Sequence, residues 1–162
     1  MRVAVLADTH LSSADLGRLP EPVIRAVERA DALVHAGDVV APGVLEALGG
    51  LAPVHAVLGN NDHLLAGTLP ETLLLDLGGV PVAVVHDAGR REGRAARLHR
   101  RFPTAAVVVF GHSHVPVDEA GLGGQILFNP GSPTQRRAQP RCTMGVLDLR
   151  DGRVRRRAIV PV

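Results

Sequence analysis

Seven side chains of the types that bind metal ions are grouped in five short polar motifs. The motifs are Asp8-Thr9-His10, Gly37-Asp38, Gly59-Asn60-Asn61-Asp62, His86 and Gly111-His112-Ser113-His114. The seven candidate ligands are Asp8, His10, Asp38, Asn60, His86, His112 and His114. Mixed oxygen and imidazole ligands without thiolate suit Mn²⁺, Fe, Zn²⁺ or Ni²⁺ better than Ca²⁺ or Mg²⁺ alone. The set therefore predicts a metal site and metal-assisted chemistry.

Each motif directly follows an apolar run that is typical of a buried strand. The five runs are Val3–Ala7, Ala32–Ala36, Val54–Leu58, Val82–Val85 and Ala105–Phe110. In open α/β sheets, ligands bind at the carboxyl ends of the strands. Because five successive runs end in ligand-type residues, we interpret the motifs as one site and not as independent turns.

Taken one at a time, most motifs also have an ordinary structural interpretation. Asp8 and His10 can cap a turn, whereas Asp38 lies rather too far before the helix predicted from near Pro42 to cap it. The third motif resembles a common turn, and a single histidine such as His86 is usually structural. The His112/His114 motif is the strongest signal, because two imidazoles after a buried strand and a glycine are typical of metal binding.

The remaining histidines are predicted to have structural roles, with one exception. His35 and His55 lie inside strand-like runs and are predicted to be core residues whose hydrogen bonds are satisfied. His63 is the exception because it directly follows Asp62 and is expected to face the site.

The order of elements predicts an α/β fold. Strands alternate with helices near Pro22–Arg29 and Pro42–Leu48 in the first half, which favours parallel strands with crossover helices. In the second half a helix is predicted near Glu92–Arg101, and Gly78-Gly79 and Asp151-Gly152 predict hairpin turns. Four later strands, predicted to be antiparallel, are Val115–Asp118, Gln125–Phe128, Thr143–Leu149 and Val154–Val160. We predict a four-layer α/β/β/α sandwich with two mixed β-sheets flanked by helices.

Composition narrows the classes of protein. The 162 residues are 46% hydrophobic and 21% charged, which predicts one folded domain over residues 1–162. All 18 basic residues are arginine, but Trp and Tyr are absent, so nucleic acid is disfavoured as a partner. The one cysteine excludes an internal disulfide. With no signal-like start and no apolar run near the ~20 residues of a membrane span, a cytoplasmic protein without a membrane partner is expected.

The order Asp-x-His, Gly-Asp, Gly-Asn-x-Asp, His, Gly-His-x-His resembles that of the calcineurin-like metallophosphoesterases. The likeness runs from Asp8 to the turn Asn129-Pro130-Gly131-Ser132. The short length resembles the small prokaryotic phosphodiesterase branch, which is also similar to a scaffolding subunit of eukaryotic retromer. Small members of this group often self-associate, so a homo-oligomer is an expectation.

The resemblance implies a site of two divalent metal ions and a partition of the ligands. Asp8, His10, Asp38 and His114 would hold one ion. Asp38, Asn60, His86 and His112 would hold the other, with Asp38 bridging. Manganese is favoured, with nickel, zinc, iron and magnesium as alternatives. The implied activity is hydrolysis of a small phosphate ester, a diester more than a monoester, through a metal-bridging hydroxide; the alternative is a non-catalytic protein-binding scaffold.

Two positions depart from the family pattern. Larger members carry histidine between the Asn and Asp of the third motif, where this chain has Asn61, which cannot act as a general acid. The catalytic candidates are therefore Asp38, Asn60, Asp62 and His63, with His63 as the hypothetical acid. Asp87 replaces the usual glycine; it either orients His86 or repels an anionic substrate.

Basic and amide side chains outside the ligand set are candidates for substrate binding. Asn61, Arg136 and Arg137 are the predicted contacts to the substrate phosphate. The arginines between Arg90 and Arg101 are predicted to form a solvated helix face, with phosphate binding as the alternative.

Overall fold

The computed structural model describes all 162 residues and contains ten strands in two sheets. The strands are β1 (Arg2–Leu6), β2 (Ala32–His35), β3 (Val54–Ala56), β4 (Thr72–Leu77), β5 (Val80–Val85), β6 (Val107–Val109), β7 (Val117–Ala120), β8 (Ile126–Asn129), β9 (Thr143–Arg150) and β10 (Arg153–Pro161). The helices are α1 (Glu21–Glu28), α2 (Pro42–Gly49) and α3 (Arg94–Arg101). Short 3₁₀ turns lie at Leu16–Arg18, His63–Leu65 and Leu122–Gly124.

Both sheets are mixed, as predicted. The first has the order β10-β9-β1-β2-β3, in which β1, β2 and β3 are parallel and β9 and β10 are antiparallel. The second has the order β4-β5-β6-β8-β7, in which β5, β6 and β8 are parallel. The prediction that all later strands are antiparallel was wrong for β8. β8 is antiparallel to its hairpin partner β7, but it lies beside β6 and is parallel to it.

Alternation of side chains along the strands explains the four layers. Val3 and Val5 of β1 face Val82 and Val84 of β5 in a core between the sheets. The intervening residues of β1 pack against α1 and α2, and those of β5 pack against α3. Each fully buried Val or Leu side chain contributes about 1.5–3 kcal/mol. The predicted α/β/β/α sandwich is thereby confirmed. None of the helices has the length and apolar character that a membrane crossing requires.

Several element boundaries differ from the predicted ones. The strand after Pro53 ends at Ala56 rather than Leu58, and β6 is shorter than the apolar run that contains it. The third helix begins at Arg94 because Gly93, immediately before it, has a left-handed backbone with φ +68°. The second helix begins at Pro42 with Ala41 as its cap, so Asp38 is not its cap, as expected.

The two predicted hairpin turns are confirmed. Gly78 and Gly79 both have positive φ, at +60° and +80°, and so do Asp151 and Gly152, at +54° and +67°. Two consecutive positive φ angles match the twist of the flanking strands in a two-residue hairpin. These turns bring the chain back so that β5 and β10 lie beside their partners.

The carboxyl ends of the parallel strands of both sheets meet at one edge of the sandwich. The His86 ring Nδ1, after β5, donates a 2.7 Å hydrogen bond to the carbonyl of Ala36, after β2. The backbone N–H of His112, after β6, donates to Asp8 Oδ1, after β1, at 3.1 Å. The five motifs are therefore brought together by direct contacts between the two sheets.

Candidate metal centre

The backbone is strained at most of the candidate ligands. Five of them have left-handed φ angles: Asp8 (+55°), His10 (+46°), Asp38 (+58°), His112 (+68°) and His114 (+57°). A residue with a side chain in this conformation costs on the order of 1–3 kcal/mol. Such strain persists only where surrounding contacts fix it, and it is concentrated at functional sites. In this chain the strained residues begin the loops that carry the ligands.

Asp8, His10 and His114 form one group whose ligand atoms lie within 4.8 Å of one another. The Nε2 atoms of His10 and His114 are 3.2 Å apart, and His114 Nε2 is 3.6 Å from Asp8 Oδ1. His114 Nδ1 donates to the carbonyl of Gln135 at 2.8 Å. The neutral ring therefore presents a lone pair on Nε2 toward the group, as a metal ligand must.

Asp8, Asp38 and His86 form the second group. His86 Nε2 lies 3.5 Å from Asp38 Oδ1, and His10 Nε2 lies 3.6 Å from Asp38 Oδ2. The two oxygens of Asp38 thus face histidines of different groups, which suits the bridging role implied by the resemblance. Asp8 is also shared by both groups, so two carboxylates lie between the two sets of histidines.

Asn60 and His112 complete the second group. Asn60 Oδ1 is 3.0 Å from His86 Nε2 and 2.8 Å from His112 Nδ1. His86 donates through Nδ1 to a carbonyl, so its Nε2, which faces the amide oxygen, is the atom available to a metal ion. His86 Nε2 and Asn60 Oδ1 face each other across 3.0 Å, and a cation bound by both atoms would satisfy them.

The charges of the centre also fit a bound cation. Burial and the nearby Asp38 carboxylate raise the pKa of Asp8 to about 7, and its buried Oδ2 has no hydrogen-bond partner. Burial lowers the pKa values of His10 and His114, which keeps both rings neutral at pH 7. An unpartnered buried carboxylate oxygen is costly, and a cation would satisfy it. The residues present therefore fit divalent metal ions.

Asp62 and Asn61 position Asp38. The Asp62 carboxylate accepts hydrogen bonds from the backbone N–H groups of Asp38 (2.9 Å), Val40 (2.7 Å) and Gly59 (2.7 Å). The Asn61 backbone and side-chain N–H groups donate to the two oxygens of Asp38 at 2.8 and 2.6 Å. Burial acts to raise the pKa of Asp38, but these bonds outweigh it and lower that pKa. The structure thus shows that both residues hold the Asp38 loop, and the catalytic role of Asp62 and the phosphate contact of Asn61 stay predictions.

Glycine is required at two positions, Gly59 in the third motif and Gly111 in the fifth, where the backbone closely approaches another motif. A Cβ atom on Gly59 would overlap the backbone nitrogen and Oδ1 of Asp38. A Cβ on Gly111 would lie 2.8 Å from Ala7 Cβ and 3.0 Å from Asp8 Oδ2. These close approaches give a physical reason for the glycines that precede the ligands in both motifs.

The two arginine candidates for phosphate binding and the candidate acid His63 lie in different surroundings. Arg136 donates to the carbonyl of Gln139 at 2.9 Å. Burial and the Arg137 charge both lower the pKa of His10 and that of His114. The Arg137 charge therefore acts on the centre. His63 is exposed and lies in the 3₁₀ turn after Asp62.

The segment after His86 is held by its own residues. Asp87 Oδ1 accepts from the backbone N–H of Gly89 at 2.7 Å, and Ala36 orients the His86 ring, so Asp87 does not orient it. Arg97 donates to the carbonyls of Ala88, Arg90 and Glu92. The predicted solvated face was wrong for Arg97, which ties the loop to α3.

Three supporting groups lie in the loop after Asn129, where the sequence interpretation assigned no such role. Ser132 Oγ donates to the carbonyl of Asp8 at 2.7 Å, and Thr134 Oγ1 donates to that of Thr9 at 2.8 Å. The third is the Gln135 carbonyl, which orients His114. Small hydroxyl residues are common in loops and a carbonyl has no sequence signal, so the residue types could not have identified them.

His35 is fully buried, as expected, but its hydrogen bonds are only half satisfied. Its Nε2 lies 3.0 Å from Thr9 Oγ1, whereas Nδ1 has no partner. Burial and the nearby His86 lower its pKa to about 3, so the ring is neutral. His55 lies in β3 and is half-buried. The prediction of a satisfied core histidine was therefore wrong for His35.

The chain is similar to known proteins over most of its length. A probable metallophosphoesterase of Methanothermobacter thermautotrophicus is 32% identical over 136 residues, covering 83% of this chain and 78% of that protein. Another, from Methanocaldococcus jannaschii, is 33% identical over 148 residues, covering 89% of this chain and 72% of that protein.

Two solved structures have the same fold at low identity. Vps29 of Entamoeba histolytica in complex with zinc has a TM-score of 0.76 and 24% identity, covering 99% of each chain. A phosphodiesterase described as novel and archaeal has a TM-score of 0.71 and 22% identity, covering 99% of this chain and 100% of that one. A profile of the calcineurin-like phosphoesterase superfamily domain matches residues 1–152. On this match and the two metallophosphoesterase relatives, the chain belongs to the calcineurin-like phosphoesterase superfamily.

Proposed function

We propose that this protein is a phosphodiesterase that uses two divalent metal ions to hydrolyse a small phosphate ester. The observation that carries the proposal is the convergence of all seven candidate ligands at one edge of the sandwich, in two groups joined by Asp8 and Asp38. When bound there, the ions supply Lewis acidity toward phosphoryl oxygens and lower the pKa of a water molecule. Metal-assisted phosphate ester hydrolysis is the chemistry that such a pair supports best.

The residues around the ligands keep them in place during a reaction. Asp62 and Asn61 fix Asp38 through three hydrogen bonds, two of them to its carboxylate. Asp62 also binds the backbone N–H groups of Val40 and Gly59. Donors with fixed geometry cost no reorganisation when charge develops in a transition state. Arg137 adds positive charge beside the centre, and we assign it to a non-bridging phosphate oxygen.

His63 is our candidate for the proton donor to the leaving oxygen. Asn61 cannot supply a proton and is bound to Asp38, whereas His63 is exposed two residues further along the chain. Diesters with a poor leaving group should depend on His63 more than p-nitrophenyl diesters do. An unchanged kcat of the His63→Ala enzyme on a poor-leaving-group diester would refute this role.

Manganese is the metal we propose for the site. Carboxylate and amide oxygens with imidazoles and no thiolate are compatible with Mn²⁺, and also with Ni²⁺, Zn²⁺, Fe²⁺ and Mg²⁺. The test is to chelate the protein, restore each metal separately and measure stoichiometry and turnover. Two ions per chain with the highest kcat/KM for Mn²⁺ would support the proposal.

The decisive experiment compares bis(p-nitrophenyl) phosphate with p-nitrophenyl phosphate after metals are restored. We expect diester turnover to exceed monoester turnover, and both to vanish in the His112→Ala variant. A folded, metal-loaded protein that hydrolyses neither substrate would contradict the proposal.

A protein-binding scaffold is the second candidate, since Vps29 shares the fold. Vps29 of Entamoeba histolytica was solved with zinc, so metal binding alone does not separate an enzyme from a scaffold. Turnover separates them. If the metal-loaded protein is inactive, the scaffold becomes the better interpretation, and its surfaces should then be tested for protein partners.

A further inference from the structure

A cavity of about 290 Å³ opens directly beside the candidate metal centre, on the side of Asn60 and His86. Both of these candidate ligands line it, so a group bound in the cavity would adjoin a phosphate held at the metals. Leu58 and Val85 provide apolar surface, and Val85 is buried. The cavity is therefore placed to receive one of the two alcohol arms of a phosphodiester.

Three charged side chains border this cavity, and they form no ion pair with one another. They are Glu71, Asp87 and Arg101, all of which are exposed. Asp87 uses Oδ1 for the Gly89 N–H, which leaves Oδ2 free. The Arg101 guanidinium lies 5.1 Å from the centre of the neighbouring Phe102 ring and has no carboxylate partner. The cavity thus offers acceptors from two carboxylates and donors from one guanidinium.

These charges discriminate between kinds of alcohol arm. A second phosphate would be repelled by Glu71 and Asp87. An ammonium group would pair with these carboxylates but has no acceptor for the Arg101 guanidinium. An aliphatic arm would desolvate charged groups without giving them hydrogen bonds, which is unfavourable. A hydroxyl group both donates and accepts, so it can bind to a carboxylate and to the guanidinium alike.

We propose that this cavity is a subsite for an alcohol arm that carries several hydroxyl groups, such as a sugar or glycerol. The hydroxyls bind to Glu71, Asp87 and Arg101, while the carbon skeleton contacts Leu58 and Val85. The inference rests on the proposed phosphodiesterase function and specifies the substrate class.

The test uses three p-nitrophenyl phosphodiesters whose second arm has three carbons: propyl, 2,3-dihydroxypropyl and 3-aminopropyl. Turnover is followed by the hydrolysed alkyl phosphate and not by p-nitrophenolate, because the neighbouring hydroxyl of the dihydroxypropyl arm can also expel p-nitrophenolate by forming a cyclic phosphate. With the Mn²⁺-loaded protein, we expect kcat/KM to be about tenfold higher for the dihydroxypropyl ester than for the propyl ester, as for hydrogen bonds to charged groups. Calorimetry should give a similar ratio for the binding of glycerol 3-phosphate and propyl phosphate, which reports on the subsite without turnover.

Two variants and two matched controls locate the effect. Glu71→Gln and Arg101→Gln should each reduce the dihydroxypropyl-to-propyl ratio to about threefold or less. Asp87 is left unchanged because it adjoins His86. The controls are Glu28→Gln on α1 and Arg100→Gln beside Arg101, both exposed, and they should keep the wild-type ratio.

The outcomes separate the two proposals. Equal kcat/KM and equal binding for the dihydroxypropyl and propyl compounds would overturn the subsite but leave the phosphodiesterase intact. A preference for the aminopropyl ester would also overturn it, in favour of a cationic arm. Absence of turnover with every ester and every metal would contradict the proposed function, and equal binding of the two phosphates would then reject the subsite as well.

Discussion

Charged groups are partnered very differently at the two ends of the sheet sandwich. At the carboxyl end, Asp8 is buried with one oxygen unpartnered, and its pKa is raised to about 7. At the opposite end, the exposed Arg2 binds Asp148 at 2.9 Å, its backbone N–H binds Asp31 at 2.6 Å, and the terminal ammonium group donates to the carbonyl of Leu149. Side chains of the same types are thus satisfied at one end and left with unmet bonding capacity at the other.

The larger cavity lies at the end of the sandwich opposite the candidate metal centre. A cavity of about 820 Å³ lies at the amino end and is lined by Arg2, Asp31 and Asp148, whereas the cavity beside the candidate metal centre is about 290 Å³. The larger cavity contains ion pairs that need no ligand. Unsatisfied buried groups and strained backbone therefore mark the carboxyl end, whereas open volume marks the amino end.

Replacement of one acidic residue at each end gives the strongest test of this difference. We expect Asp38→Ala to reduce bound metal to at most one ion per chain and diester kcat/KM by about 1000-fold, because metal stabilisation of the transition state is worth several kcal/mol. Asp148→Ala at the amino end should leave both unchanged, since it breaks an exposed ion pair. Metal analysis and steady-state kinetics measure both effects; equal losses would break the comparison.

A single added methyl group tests whether the carboxyl end depends on close packing. In Gly59→Ala the Cβ would displace the backbone of Asp38, and we expect activity to fall about 100-fold, as for a small misplacement of catalytic groups. Gly49→Ala is the control, because a Cβ there meets nothing within 4 Å and lies in α2. Normal metal binding and turnover in Gly59→Ala would show that the loops can relax.

The raised pKa of Asp8 predicts that protons compete with metal at the carboxyl end. Below pH 7 the metal-free protein holds a proton on Asp8 that the metal must displace, so metal affinity should rise about tenfold per pH unit up to about pH 7. Calorimetry in buffers of different ionisation enthalpy should count about one released proton at pH 6 and fewer at pH 8.

The Asp8→Asn variant is the control for this proton, and its proton release should not change between pH 6 and pH 8.

The raised pKa of Asp8 also affects the stability of the metal-free protein. Because the folded-state pKa is above 3.8, the contribution of Asp8 is fully present below about pH 4 and is lost as the pH rises through 7. Proton release that is independent of pH in the wild type would contradict this assignment.

The smallest predicted effect separates two adjacent arginines at the edge of the centre. Arg137→Gln should raise KM about fivefold, because an exposed charge at 4 Å from a phosphate oxygen is worth about 1 kcal/mol in water. Arg136→Gln should change KM less, since its guanidinium is bound to Gln139. Steady-state kinetics at fixed metal concentration measure both KM values. Equal increases in the two variants would show that Arg136 and Arg137 contribute equally to substrate binding.

The residue types and their order were sufficient to predict the parallel strands β1, β2 and β3 and the convergence of the ligands. Apolar runs followed by Asp, Asn or His identify strand ends, and parallel strands place those ends together. The roles of Asn61 and Asp62 could not be predicted, because each depends on which atoms of the Gly37–Asp38 loop lie nearby in the fold.

The cavity beside the centre was also beyond sequence interpretation. Glu71 precedes β4 and Arg101 ends α3, and 30 positions in the chain separate them. Only the packing of the second sheet against α3 brings these residues to Asn60. The docking of β8 beside β6 could not be predicted either. The residue patterns of β7 and β8 are both compatible with a strand next to β6, so the pattern does not say which of the two pairs with it.

The outer strand β10 has a consequence for how copies of this protein meet. It is nine residues long and lies at the free edge of the first sheet, where unpaired backbone groups could recruit a strand from another molecule. It carries four arginines, an irregular register between Val154 and Arg156, and Pro161 at its end. Arg155 and Arg157 pair with Asp151 and Asp118, so the charge that opposes strand addition is that of Arg153 and Arg156. The irregular register and the missing proline donor oppose it as well. The edge is thereby protected against open-ended aggregation, and any self-association should use another surface.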